Sequence, residues 1–143
     1  MRWRQPVFVG LILALTFVPA ASDEAGVLVR DAWIQEAPPG VGVMAGYMAL
    51  RNNTSGTQVL VAASSSGFES VMFHRTIIKD GIAGMVQASQ VELTRNASLI
   101  FAPGGYHLML MTPKRTLRAG DPVVINLKFR GGLVLPVAFE VRK

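Results

Sequence analysis

The sequence contains no cysteine. Disulfides, CxxC redox motifs, zinc-finger sites and thiolate copper centres are therefore excluded. A lipobox is excluded too, so the expectation is a protein without a lipid anchor. No GxSxG nucleophile elbow is present, and nothing in the sequence offers either histidine an orienting partner for a serine triad, so catalysis is not expected. Past the first 22 residues no apolar run is long enough to span a bilayer, and no stable membrane insertion is expected after processing. Strong charge of one sign is also missing. The formal net charge of +5 includes Arg2 and Arg4 of the N-terminal segment, which leaves 12 basic side chains against 9 acidic ones. Lys114, Arg115 and Arg118 form the nearest thing to a basic cluster and read as a solvated turn. A nucleic-acid partner is not expected. Internal repeats, linkers and a sustained helical period are likewise absent.

The first feature present is an export signal. Met1–Pro6 holds two arginines and no acid, Val7–Val18 is an uncharged apolar run of 12 residues, and Ala20, Ala21 and Ser22 follow. That is the order of a secretory signal peptide, with cleavage expected between about residues 20 and 22. The domain reading is thus 1–22 for the signal and 23–143 for a single folded domain.

The folded part is rich in Val, Ile, Leu and Phe, with turn residues roughly every ten positions. Strands are expected near Val27–Ile34, Ala45–Arg51, Gln58–Ala63, Ser70–Thr76, Met85–Gln87, Ser98–Phe101, His107–Met111, Val123–Phe129 and Val134–Val141. Short strands at this spacing predict an all-β sandwich or barrel. Gly131-Gly132 predicts a hairpin between the last two strands, and Lys79-Asp80-Gly81 reads as another turn. Asn52, Asn53 and Asn96 fall in formal N-x-S/T sequons, a pattern too weak to carry weight.

The chemistry rests on a spaced set. Outside the signal segment there are two histidines, His74 and His107, and six methionines. Ten residues separate His74 from Met85, twenty-one separate Met85 from His107, and one separates His107 from Met109. Positions 107 and 109 are i and i+2 on an expected strand, so their side chains share a face. His74 and Met85 flank the Lys79-Asp80-Gly81 turn, and a hairpin there could bring them together. Two imidazoles and two neutral thioethers suit Cu(I) and disfavour Mg, Ca or Mn, which take oxygen ligands, or Zn, which takes thiolate, imidazole or carboxylate. Met44, Met48 and Met72 read as core filler, the usual use of a flexible thioether. Met111 shares a strand face with Met109 and could either support the site or fill the core.

The pattern His-x10-Met-x21-His-x-Met resembles the signature of the periplasmic copper chaperones associated with the copper A centre of cytochrome c oxidase. Asp31-Ala32-Trp33, Ala37-Pro38-Pro39-Gly40, Gly46-Tyr47-Met48 and Pro103–Met111 resemble that family as well. The resemblance implies a cupredoxin-like Greek-key β-sandwich in the periplasm, and the processed chain is expected to be a soluble monomer. It implies His74, Met85, His107 and Met109 as ligands of one Cu(I) ion. It further implies a copper-accepting partner such as an oxidase subunit or its assembly factor. Copper buffering or resistance is the alternative job for such a site, and a metal-free exported binding module is the reading without copper. Thr76, Ile78 and Ala83 stand where members of the family often have methionine, so a single ion is expected.

Overall fold

The computed structural model describes residues 25–143, and the segment read as a signal peptide lies outside them. Ten strands follow in order: β1 (Val27–Gln35), β2 (Val43–Asn52), β3 (Gln58–Ser64), β4 (Phe68–Lys79), β5 (Ile82–Ala88), β6 (Val91–Leu93), β7 (Ser98–Phe101), β8 (Tyr106–Pro113), β9 (Pro122–Phe129) and β10 (Val134–Arg142). Seven of them close a circuit, β3-β4-β8-β2-β1-β10-β9 and back to β3. β5 extends from β4, β6 extends from β3, and β7 fits between β8 and β2. The first and last strands pair in parallel, Trp33 with Glu140, so the chain crosses over the barrel instead of running up and down. The expected all-β sandwich is present as a flattened, closed barrel, an arrangement that leaves few free strand edges.

Strand parity decides what faces inward. On β9, Val123, Ile125, Leu127 and Phe129 are buried; on β10, Val137, Phe139 and Val141; on β8, Leu108 and Leu110; on β2, Met44, Met48 and Leu50. These side chains form one continuous core. Met44 and Met48 are core residues, as their type predicts. Met72 is not: it is only partly buried and sits on the opposite side of β4 from the core residues Val71 and Phe73. A position flanked by two inward-pointing neighbours must itself point outward.

The sequence-based strand limits fall short at several ends. β4 continues to Lys79 and β5 begins at Ile82, so the two form a long ribbon turning at Asp80 and Gly81. Both turn residues have positive φ, 52° and 75°, the conformation that a tight two-residue hairpin requires. β6 was absent from the expected strands. Its three residues are too few to show alternation, although Val91 and Leu93 are each only 3% exposed.

Two polar side chains are buried among the described residues, His107 and Asn52. Asn52, fully buried at the end of β2, donates from Nδ2 to the carbonyls of Gly56 (2.7 Å) and Leu93 (2.9 Å). Its Oδ1 accepts from the Thr54 amide (2.9 Å) and the Thr54 hydroxyl (2.6 Å). The side chain thereby stitches the β2–β3 turn to the end of β6, far from the strand segment that backs the histidines.

Candidate metal centre

β4 and β8 pair antiparallel in unbroken register from Phe68 opposite Pro113 to Arg75 opposite Tyr106. Within that ladder His74 lies directly opposite His107, and their rings stack with centroids 5.8 Å apart. The inner sides of the same strands carry Phe73 and Leu108, which anchor both backbones in the core. The two imidazoles therefore stand on a stiff platform on the outer wall of the barrel.

The nitrogen chemistry suits a ligand role. His107 is 7% exposed, and its Nδ1 lies 3.2 Å from the Gly105 carbonyl oxygen. A hydrogen bond there puts the proton on Nδ1 and leaves Nε2 with its lone pair free, the usual arrangement behind a metal-ligating histidine. The same carbonyl accepts the Thr76 amide at 3.1 Å, so the β7–β8 turn ties the start of the β4–β5 ribbon to the His107 ring. His74 Nδ1 is buried and has no hydrogen-bond partner. Burial, followed by the proximity of His107, pushes the His74 pKa below the ordinary imidazole value. Both effects favour the neutral ring, the form that binds metals. A buried, unpartnered nitrogen on a neutral ring is costly unless something coordinates it.

The thioethers are arranged less symmetrically than the spacing suggests. Met109 follows His107 on the same face of β8 and lies directly opposite Met72. Met111 is next along that face, opposite Ser70, so it belongs to the outer wall and not the core. Met85 lies opposite Thr76 on β5, while Gln87 is the residue opposite His74. Met85 thus shares the face of His74 but stands diagonal to it, 65% exposed, on a ribbon whose tip also exposes Ile78 and Ile82. His74 and His107 are brought together by direct pairing, Met109 joins them by parity, and Met85 is held at a distance on the ribbon. Met72 is the residue that sequence reasoning missed. The signal was available: it is i−2 from His74 on an expected strand, by the same parity that joins Met109 to His107.

Among the described residues, no three His, Cys, Asp or Glu side chains converge as a metal-holding group. A site built only from acids, thiolates and imidazoles is therefore not present there. The mixed imidazole–thioether face has the donor chemistry of a soft ion. Lys114, Arg115 and Arg118 are exposed as a solvated turn, with Arg115 held 3.2 Å from Asp121.

Similarity to known proteins bears on this face. A putative lipoprotein, Lxx21020 of Leifsonia xyli subsp. xyli, is 34% identical over 142 residues, covering 95% of this chain and 84% of that protein. The solution structure of Cu(I)-DR1885 from Deinococcus radiodurans superposes with a TM-score of 0.68 at 31% identity, over 86% of this chain and 82% of that one. The copper-bound PCuAC domain from PmoF2 superposes with a TM-score of 0.70 at 19% identity, over 82% and 93% of the two chains. The last of these shows the shared cupredoxin-like fold alone. None of these descriptions names an enzymatic activity. The lipoprotein descriptions fit an exported protein, whereas the present sequence has no cysteine to carry a lipid. Residues 27–141 match the family described as "Putative lipoprotein LpqE-like", and the chain belongs to that LpqE-like family.

Proposed function

We propose that this protein is a periplasmic Cu(I) carrier, exported through a cleaved signal peptide over residues 1–22 and soluble once processed. It binds one ion with His74 and His107, assisted by the thioethers of Met109 and Met85. It passes the ion to a copper-accepting protein; the resemblance points to the copper A site of cytochrome c oxidase or an assembly factor serving it. The observation that carries the reading is the facing pair of imidazoles, 5.8 Å apart, with an unpartnered His74 nitrogen and methionines on the same sheet face. The Cu(I)-bound relative at 31% identity supports it.

Handover follows from the donors. Neutral imidazoles and thioethers leave the bound ion with its full +1 charge and favour the reduced state. Without thiolate, the ion is held loosely enough to leave by ligand exchange. Exposure of the Met85 ribbon leaves one ligand at the surface, where an acceptor's own donors can replace it.

The test is an anaerobic Cu(I) titration of the processed protein against a competing chelator, with His107→Ala in parallel. The expected result is one equivalent bound by the native chain and at least a hundredfold loss in the variant. Equal binding by the two refutes the proposal.

A further inference from the structure

The sheet register sets which donors one ion can reach. Neighbouring strands lie about 4.8 Å apart and alternate residues on one strand about 6.7 Å apart. His74, His107, Met109 and Met72 occupy two consecutive same-face pairs of the β4–β8 ladder. Their Cβ atoms therefore form a near rectangle whose diagonals are about 8 Å. Met85 is one strand further out and two residues further along, in the direction away from Met109. That places its Cβ about 16 Å from that of Met109 along the sheet. A thioether sulfur sits about 3 Å from its Cβ and a soft metal–sulfur bond adds about 2.3 Å, so two methionines share an ion only within about 10 Å. Met109 and Met72 meet that limit on the rigid ladder. Met109 and Met85 meet it only if the ribbon folds over the face.

β5 is an edge strand whose only pairing is with β4. Pairing of β4 with β8 stops at Arg75–Tyr106, and past the bond from the Thr76 amide to the Gly105 carbonyl, Ile77 to Lys79 pair with β5 alone. Every residue from Lys79 to Gln87 is exposed. Met72 is partly buried on the outer wall, on the side of the strand away from the core residues Val71 and Phe73.

We infer that Met72 is a copper-binding residue, a thioether that completes a two-histidine, two-methionine set with Met109 while the ribbon is extended. Met85 then exchanges with Met72 as the ribbon closes or opens, so the ion always keeps two sulfur ligands. This rests on the Cu(I) reading above and adds a donor to it.

A double-mutant cycle on the processed full-length protein tests the exchange. Met72→Leu, Met85→Leu and the double variant are titrated with Cu(I), and their sulfur neighbours are counted by X-ray absorption. Leucine is close to methionine in volume and the positions face outward, so the fold is retained. Each single variant is expected to lose less than tenfold in affinity and to keep two sulfurs. The double variant is expected to lose at least a hundredfold and keep one. The inference is overturned if the double variant matches Met85→Leu in both affinity and sulfur count. His107→Ala serves as the control: a variant that binds like the native protein overturns the Cu(I) reading itself, whereas lost binding there confines any failure to Met72.

Discussion

Removing the Asn52 side chain should destabilise the fold severely while leaving copper binding intact. Asn52→Ala abolishes the buried bond from Nδ2 to the Leu93 carbonyl and the partly buried bonds to Gly56 and Thr54. An acceptor left unsatisfied in the interior costs about 1–3 kcal/mol, and each ordinary hydrogen bond contributes about 0.5–1.5 kcal/mol net. Water can reach the Gly56 and Thr54 groups in the variant, so their loss counts at the lower end. The total is about 3 kcal/mol, a large share of the 5–15 kcal/mol typical of a domain. For a chain of this size that corresponds to a fall in Tm of about 10 °C. Asn52→Asp sharpens the test. It keeps the acceptor for Thr54 but turns a carboxylate oxygen toward the Leu93 and Gly56 carbonyls, and so should destabilise at least as much as alanine. Urea unfolding followed by far-ultraviolet circular dichroism measures both. A loss below about 1 kcal/mol for either variant refutes the assignment of Asn52 as a structural clamp. Cu(I) affinity, measured below the unfolding transition, should stay within about threefold of native, since second-shell disturbance of a metal site costs about tenfold or more.

Two further outcomes follow from the site. The lowered pKa of His74 keeps its ring neutral further into acid than a free imidazole, so Cu(I) affinity should be flat above about pH 6.5 and decline only below it. The same shift has a stability consequence for the metal-free protein. Its folded state binds fewer protons than the unfolded chain, so stability should fall as pH drops through about 6.5 and level off below the folded pKa. Urea midpoints at several pH values would show this, and His74→Gln should remove that part of the slope. Leu108→Ala empties a fully buried position between His107 and Met109 on the inner side of β8. It should cost about 2–5 kcal/mol and loosen the platform, seen as a lower Tm together with weaker Cu(I) binding. A full loss of stability with unchanged affinity would show that core packing behind β8 does not set the ligand geometry.

The sequence by itself determined the fold class, because short apolar alternations punctuated by Gly, Pro and Asp turns leave little but an all-β solution. Parity on β8 was legible too: His107 and Met109 share a face for the reason that any i, i+2 pair on a strand does. It also determined the donor chemistry, since a chain with no cysteine and few histidines can offer a soft metal only imidazole and thioether. What spacing could not determine was which strands become neighbours. His74 meets His107 because β4 pairs with β8 in a register set by barrel closure, a contact across 33 positions of sequence. The same register moved Met72 from presumed core filler to the outer wall beside Met109, and set Met85 opposite Thr76 instead of His74. β6, at three residues, carried no period to read. Asn52 gave no sign in the sequence of its burial, because the carbonyls it satisfies are brought to it by the chain's return at Leu93. Side-chain chemistry and local periodicity are properties of short segments, whereas pairing register is a property of the closed sheet, and it is register that turns separate donors into a site.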